Sequence, residues 1–310
     1  MKQDGFTLIE LLIAVFIVGI VMAYSGNTFI KALSGIKTES RAVTPHMDKL
    51  FGLELLRLDL EHLGYGIASD TTDLPVEWTE GILPGNRELI IRSTLNNSNQ
   101  GTVGWYLLDC TSGSPISGSV LSSGGSGLDN ALVLVSNSGT FGGNTTYSAN
   151  CPATAVYTAF PYDNSVTDGC AASGQFCNQV TYKLSTSQDL SSCAAGSRNL
   201  LRAVGGGSGV PVLNCVADFF VRFDLDTNSD GTIDSAGSAT PPGTTSAIMD
   251  QVKQVHAYVL QQVSTRDNDY TFSGDTTVGG EVTFNTAGVT NFTNYHWKVV
   301  KLSEIPMGFR

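Results

Sequence analysis

One carboxylate, Glu10, lies near the start of a predominantly apolar run that extends from Phe6 to Tyr24. As a helix with a rise of about 1.5 Å per residue, this run would span roughly 29 Å, enough to cross the core of a bilayer. An ionised glutamate inside a membrane helix costs roughly 2.5–3.5 kcal/mol even on mild insertion scales. An anchor alone does not need such a residue. Glu10 is therefore a functional candidate, and it requires a partner.

A second group of candidate residues is an Asp-rich stretch that follows a predicted strand. Oxygen-bearing side chains alternate at Asp226, Asn228 and Asp230 and are followed by Gly231, a spacing that resembles the first half of a calcium-binding loop. The twelfth position, which supplies a bidentate glutamate in an EF-hand, is Gly237, so a full EF-hand is excluded. The alternative is a solvated turn in which Asp and Asn side chains cap backbone amides. The sequence predicts a structural Ca²⁺ site with the candidate ligands Asp224, Asp226, Asn228, Asp230, Thr232 and Asp234.

The cysteines form a third group, and all of them lie in the loop-rich middle of the chain. They are Cys110, Cys151, Cys170, Cys177, Cys193 and Cys215. An even number of cysteines in an exported chain indicates up to three disulfides, whose connectivity the sequence does not determine. Metal binding is the alternative, but the chain contains no C-x-x-C pair and its four histidines are scattered.

Composition and missing motifs exclude several classes of protein. A formal net charge of −11 argues against a nucleic-acid partner bound through a basic surface. The glycine-rich stretch 205–209 lacks the Lys-Ser/Thr of a phosphate-binding loop, and no Gly-x-Ser-x-Gly motif occurs. The histidines, His256 among them, have no recognisable acid and nucleophile partners in the sequence. The sequence therefore predicts a protein that is not an enzyme.

Hydrophobic periodicity predicts the helix that must position Glu10. The helical pattern continues beyond the apolar run to Pro45, where proline would bend the helix. It then resumes and ends at two glycines, Gly64 and Gly66. The apolar stripe of the second half consists of Leu53, Leu56, Leu60 and Leu63. The sequence thus predicts a helix of roughly 55 residues that is bent near Pro45.

From about residue 70, short runs of period two alternate with Gly, Ser, Asn and Pro, a pattern typical of strands and turns. The predicted strands are Thr102–Asp109, Ala131–Val135, Gln179–Leu184, Leu200–Val204, Val216–Leu225, Val252–Val263, Glu281–Phe284 and Tyr295–Leu302. Segment 111–150 is predicted to be surface loop around one buried strand. The expected fold class is α+β, in which a long N-terminal helix packs on a loop-rich antiparallel β-sheet domain.

The N-terminal residues Gly5-Phe6-Thr7-Leu8-Ile9-Glu10 resemble those of the type IV pilin and pseudopilin superfamily. The resemblance implies that a prepilin peptidase cuts after Gly5 and methylates the new amine of Phe6. It also implies that Glu10 pairs with the Phe6 amine of a neighbouring subunit during assembly. Such an amine is largely cationic at neutral pH, because its reference pKa is about 7.7–8.0. Opposite charges attract each other far more strongly in lipid than in water when their geometry is good.

Two other interpretations of the N-terminus remain open. The segment could be an ordinary secretory signal with Lys2 as its basic region and a small-x-small cleavage site at residues 23–25. It could also be a plain membrane anchor. The mature N-terminus distinguishes a pilin from a secreted protein, since a pilin would begin at Phe6 and a secreted protein at Gly26.

Two further stretches are similar to PilW-type minor pilins. The residues from Val216 to Gly231 look like a strand that runs into an Asp-rich turn, and those from Leu56 to Gly66 are similar to an Asp-Leu-x-x-x-Gly-Tyr pattern. The stretch from Val255 to Val263 resembles the strand that follows. No resemblance can be named for residues 68–198.

The resemblance implies a domain organisation and a function. Residues 1–5 would be the prepilin leader, 6–25 the transmembrane and assembly helix, 26–67 an amphipathic helical spine, and 68–310 a disulfide-containing globular domain. We expect a minor pilin that is a single-pass inner-membrane protein, with its C-terminal domain outside the cytoplasm, before it joins a cell-surface pilus. Its expected partners are the prepilin peptidase, other minor pilins and the major pilin. The alternatives are a type II secretion pseudopilin and a tip adhesin that binds through the loops of residues 111–170.

Overall fold

The computed structural model describes residues 49–67, 74–93, 179–188, 190–204 and 207–309, together with the backbone of five strands between residues 106 and 161. The chain divides into two compact units, Met1–Leu50 and Phe51–Arg310, of which the second contains nearly all of the described residues. The predicted leader, the membrane segment and the bend at Pro45 lie outside them. No helix in the described part of the chain is long and apolar enough to cross a membrane.

Helix α1, described over residues 49–61, carries the apolar stripe that the sequence predicts. Leu56, Leu60 and Leu63 are completely buried in the core. The helix ends at residue 61, and Gly64 follows in the left-handed region with a φ of 73°. The backbone amide of Gly64 donates to the carbonyl of Arg92 at 2.9 Å, which connects the end of the helix to a strand. The stop predicted at Gly64 therefore belongs to a tight turn that begins just before it.

Fifteen strands are described, and the chain folds them into three separate sheets. They are β1 (Val76–Thr79), β2 (Glu88–Arg92), β3 (Tyr106–Asp109), β4 (Ile116–Val120), β5 (Leu132–Ser136), β6 (Thr145–Tyr147), β7 (Val156–Pro161), β8 (Gln179–Leu184), β9 (Arg198–Val204), β10 (Val210–Leu225), β11 (Ser235–Ser238), β12 (Val252–Gln262), β13 (Thr277–Val278), β14 (Val282–Thr283) and β15 (Trp297–Glu304). A short helix, α2 (Thr245–Gln251), leads directly into β12.

The main sheet is antiparallel and has the strand order β1-β2-β8-β9-β10-β12-β15, with β11 paired to β10. A five-stranded antiparallel sheet of order β4-β3-β7-β5-β6 is inserted in the chain between β2 and β8. Strands β13 and β14 form a separate hairpin. The predicted antiparallel β-sheet domain is thus confirmed, whereas most of the predicted long helix lies outside the described residues.

Strand β10 is the centre of the core, and both of its faces are buried at its C-terminal end. On one face Phe219 packs edge-to-face against Trp78, with the ring centroids 5.5 Å apart. On the other face Phe220 packs against Phe284 at 5.7 Å, and the buried Asp218 accepts a hydrogen bond from the Asn285 amide at 2.7 Å. The alternation of residue types along β10 therefore separates an apolar buried face from a polar buried face.

The strand predictions are correct for much of the main sheet and for β3 and β5 of the insertion, whereas β4, β6 and β7 were not predicted. Strand β8 has the predicted bounds, and β12 ends one residue before the predicted Val263. Segment 111–150, predicted to be loop around one strand, contains that strand as β5 and two further strands, β4 and β6. Strand β4 has the sequence Ile-Ser-Gly-Ser-Val, whose central Ser-Gly-Ser contains none of the β-branched or aromatic residues that favour strands. Its pairing with β3 supplies the stabilisation that local propensity does not indicate.

Candidate functional site

The Asp-rich turn joins β10 to β11, at the end of the strand where the sequence predicts it. Asp226 is the first residue after β10, and its side chain is 1 % exposed. Its backbone amide donates to the carbonyl of Gln251 at 2.8 Å, and the amide of Asp234 donates to the carbonyl of Leu225 at 2.9 Å. These two hydrogen bonds fix both ends of the turn to the main sheet and to the end of α2.

Side-chain oxygens of the turn accept hydrogen bonds from its own backbone. The two carboxylate oxygens of Asp226 accept from the amides of Asp230 at 3.2 Å and Gly231 at 2.9 Å. The amide of Asp230 also donates to Asn228 Oδ1 at 2.9 Å, and Asp230 Oδ1 accepts from the Thr232 amide at 2.8 Å. Gly231 has a φ of 88°, a conformation that side chains other than glycine rarely adopt. The hydroxyl and amide of Thr232 lower the pKa of Asp230.

The remaining carboxylate of the turn, Asp234, completes the network. Its Oδ2 accepts from the amides of Thr227 at 2.9 Å and Asn228 at 3.2 Å. Asn228 Nδ2 lies between two carboxylates and donates to Asp230 Oδ2 and Asp234 Oδ1, each at 3.2 Å. Lys253 Nζ lies 3.7 Å from Asp226 Oδ2 and brings a positive charge to the buried carboxylate. The ammonium of Lys253 thus offsets part of the negative charge of the turn, and the uncharged amide of Asn228 donates hydrogen bonds to two of its carboxylates.

The described residues contain no group of three or more Asp, Glu, His or Cys side chains that could hold a metal ion as they stand. For a cation to bind here, the carboxylates of Asp226, Asp230 and Asp234 would have to exchange part of this hydrogen-bond network for contacts with the ion. Calcium prefers six to eight oxygen ligands, which the carboxylates, Asn228 Oδ1 and the Thr232 carbonyl could supply together with water. The calcium site stays a prediction.

Asp224, the first of the predicted ligands, belongs to a different arrangement. Its Oδ1 accepts from the Gly237 amide at 2.8 Å, and its Oδ2 is 2.9 Å from His256 Nε2. The other ring nitrogen of His256 is 2.8 Å from Ser303 Oγ. His256, for which the sequence shows no recognisable acid and nucleophile partners, therefore has a carboxylate and a hydroxyl as hydrogen-bond partners. The partners lie 32 and 47 residues away along the chain, where only the strand pairing brings them together.

One predicted disulfide is present in the described region and joins Cys193 to Cys215. Their Cα atoms are 5.1 Å apart, and their sequence separation is 22 residues. Cys215 has a φ of 55° and lies where the pairing of β10 with β9 shifts register. The crosslink therefore attaches the loop between β8 and β9 to an irregular point of the central strand. The other predicted disulfide cysteines, Cys110, Cys151, Cys170 and Cys177, lie outside the described residues, and their pairing stays a prediction.

An ion cluster that the sequence did not indicate attaches α1 to the main sheet. Asp59 accepts two hydrogen bonds from Arg202, from Nε at 2.6 Å and from Nη2 at 3.0 Å. The hydroxyl of Tyr182, a completely buried residue on β8, donates to the same carboxylate at 2.5 Å. Burial and the charge of Asp59 raise the pKa of Tyr182. Asp59 is the aspartate of the Asp-Leu-x-x-x-Gly-Tyr pattern. The pattern includes this residue but does not indicate that it pairs with Arg202 and Tyr182.

Comparison with known proteins bears on the N-terminus. Residues 1–25 match the family model described as the prokaryotic N-terminal methylation motif. No curated protein and no solved structure is significantly similar to the chain. The matched motif indicates a type IV pilin-like protein, of a pilus or a pseudopilus. It implies processing by a prepilin peptidase and a membrane-anchored form that precedes assembly, and it suggests a structural role.

Proposed function

We propose that this chain is a PilW-type minor pilin that enters a type IV pilus near its tip and primes its assembly. The observation that carries the proposal is the methylation motif at residues 1–25 in a chain that continues into a sheet-rich domain. The similarity of the strand and Asp-rich turn to PilW-type proteins supports this subfamily over others.

The proposed assembly step uses Glu10 and the amine of Phe6. After cleavage behind Gly5, the new N-terminus carries a positive charge at neutral pH. An unpaired Glu10 carboxylate would be costly for a monomer in the bilayer. Pairing with the amine of a neighbouring subunit removes that cost, so the same carboxylate that hinders the monomer favours the filament.

The size of the globular domain favours a minor subunit over a major one. The main sheet has eight strands, and a second sheet of five strands is inserted between β2 and β8. A domain of this kind is awkward to pack in thousands of copies, whereas a few copies near a tip meet no such restriction. A tip position would also suit the alternative role as an adhesin, for which the candidate surface is residues 111–170, largely within the inserted sheet.

Deletion of the gene, with complementation, tests the proposal. Loss of surface pili that the wild-type gene restores supports a priming subunit. A variant lacking residues 111–170 serves as the matched control for adhesion. If pili remain normal in the deletion strain but adhesion fails, the adhesin alternative is favoured. If pili are normal and export through a type II secretion system fails, the chain is a pseudopilin instead.

We also propose that the turn between β10 and β11 binds a structural Ca²⁺ ion. The proposal is supported by the alternate oxygen side chains at Asp226, Asn228 and Asp230 and by the left-handed Gly231 that follows them. The role would be structural, because the turn is fixed at both ends to the core strand and to α2.

A further inference from the structure

Three neighbouring strands of the main sheet bring a serine, a histidine and an aspartate into one line. Ser303 on β15 lies directly opposite His256 on β12. Strand β12 also pairs with β10, and β10 carries Asp224. Ser303 Oγ is 2.8 Å from His256 Nδ1, and His256 Nε2 is 2.9 Å from Asp224 Oδ2. A nucleophile within hydrogen-bond reach of a base, with the base oriented by a third group, is the arrangement of an activated serine.

The chemistry of the three groups assigns the direction of both hydrogen bonds. An ionised carboxylate is an acceptor only, so Nε2 of His256 must carry the proton that faces Asp224. In the neutral ring Nδ1 then has a free lone pair and accepts from the Ser303 hydroxyl. Asp224 is itself held in place, because its other oxygen accepts from the Gly237 amide at 2.8 Å. The imidazole is therefore fixed in the tautomer that can take a proton from the serine.

The serine is exposed and the histidine and aspartate behind it are buried, which is the distribution that an activated serine requires. His256 and Asp224 are 6 % and 8 % exposed, whereas Ser303 is on the surface. Ser303 also lies on a sheet edge, since β12 is the only described strand that pairs with β15. Alternate backbone N–H groups of an edge strand point away from its partner, and N–H groups are the usual donors to a developing oxyanion. A small molecule can reach the hydroxyl while the base stays protected from water.

We propose that Ser303 is a nucleophile that accepts an acyl group from reactive carboxylic esters, with His256 as its base and Asp224 as the residue that positions the base. Ser303 Oγ bonds to the ester carbonyl carbon while its proton moves to His256 Nδ1. Collapse of the tetrahedral adduct breaks the bond to the leaving alkoxide, which takes that proton and departs as the alcohol. Water then releases the carboxylic acid and regenerates the serine. This site is independent of the proposed role in a pilus.

The test uses p-nitrophenyl acetate with the full chain in detergent micelles. Release of p-nitrophenol is followed by absorbance, and acid-quenched samples are digested and analysed by mass spectrometry for acetylated serines. Ser246 is the internal control, because it is also exposed and its Oγ lies 3.3 Å from a carboxylate oxygen of Asp250 without an intervening imidazole. We expect acetylation of Ser303 to be faster than that of Ser246 by on the order of 10²-fold or more.

Three variants distinguish this proposal from the alternative that the hydrogen bonds among Ser303, His256 and Asp224 only stabilise the sheet. Ser303→Ala should remove the adduct, and because the side chain is exposed the variant should still fold. His256→Gln should bring acetylation of Ser303 down to the rate of Ser246, and Asp224→Asn should slow it while leaving a measurable rate. Thermal melts show whether each variant is folded. Acetylation of Ser303 in the wild type at the control rate would overturn the proposal, as would acetylation that His256→Gln leaves unchanged.

Discussion

Removal of the Asp59 carboxylate is expected to weaken the attachment of α1 to the main sheet. In Asp59→Ala, Arg202 on β9 loses both of its hydrogen bonds to the carboxylate, and the Tyr182 hydroxyl on β8 loses its acceptor. The side chains of Arg202 and Asp59 are only 11 % and 12 % exposed, so water replaces these bonds poorly. The variant therefore removes the shared acceptor of a guanidinium and a phenol in a nearly buried site.

The magnitude of this effect follows from the burial of the pair. Breaking a buried ion pair by removing one partner typically costs about 3–5 kcal/mol. Because a small part of both side chains remains exposed, we expect the lower end, about 3 kcal/mol of unfolding free energy. For a domain of this size, a loss of about 3 kcal/mol lowers the melting temperature by roughly 6–12 °C. A loss of about 3 kcal/mol is a large part of the total stability of a typical domain, which is about 5–15 kcal/mol.

The assay is thermal and urea unfolding of the purified chain, followed by circular dichroism. The matched control is Glu54→Ala on the same helix, where Glu54 pairs with Arg57 at 2.8 Å on an exposed surface. Exposed ion pairs are screened by solvent, so this control should melt within error of the wild type. A double-mutant cycle with Arg202→Ala should give a coupling energy of about 1–3 kcal/mol between Asp59 and Arg202.

The expected pattern is specific enough to be refuted. If Asp59→Ala and Glu54→Ala lower the melting temperature equally, burial of the Asp59 cluster does not decide its contribution. If the cycle gives no coupling, the effect of Asp59→Ala does not pass through Arg202. Either result would contradict the inference that this cluster attaches the helix to the sheet.

Three other predictions concern the N-terminus, the Asp-rich turn and the disulfide. Glu10→Ala should leave peptidase cleavage intact but stop incorporation into pili; sheared pili with normal amounts of the variant would contradict this. Calcium at a hundredfold excess over its Kd should stabilise the wild type by about 2.7 kcal/mol, and the Asp226→Ala, Asp230→Ala variant should lose this effect. Equal wild-type melting curves with calcium and with chelator would leave only the hydrogen-bonded turn. Cys193→Ser with Cys215→Ser should cost about 3 kcal/mol, because the crosslink closes a loop with a separation of 22 residues. An unchanged urea midpoint would argue against that contribution.

The features that the sequence predicted correctly are those encoded by local periodicity. Strand β8 and the leucine stripe of α1 follow from repeats of two and of three to four residues. Strand β1 was missed because it has only four residues. Helix α2 was missed because it is a single short helix of seven residues, whose N-cap Thr244 is the main local signal for it. Such short elements exist because neighbouring elements stabilise them.

The candidate sites also divide into those formed by residues close together in the sequence and those formed by distant residues. The capping hydrogen bonds of the Asp-rich turn join residues no more than seven positions apart, so the spacing of Asp226, Asn228 and Asp230 was enough to predict a turn with converging oxygens. The partners of Asp59 lie 123 and 143 residues away. A sequence without an alignment contains no signal for such pairs, because they depend on which strands become neighbours in the sheet.

The buried carboxylates of the described region obey one rule, and the rule bears on Glu10. Asp218 is paired with the guanidinium of Arg87, Asp224 with the imidazole of His256, and Asp226 with backbone amides and a nearby ammonium. In each case the chain itself supplies the group that offsets the cost of burying a negative charge. Glu10 lies in an apolar run whose neighbouring residues along the helix offer no cation. The methylation motif around it indicates a processed N-terminal amine, which is the cation that the resemblance to pilins pairs with this carboxylate. Under the proposed assembly step that amine belongs to a neighbouring subunit, which would make pairing of this carboxylate a step of assembly and not of folding.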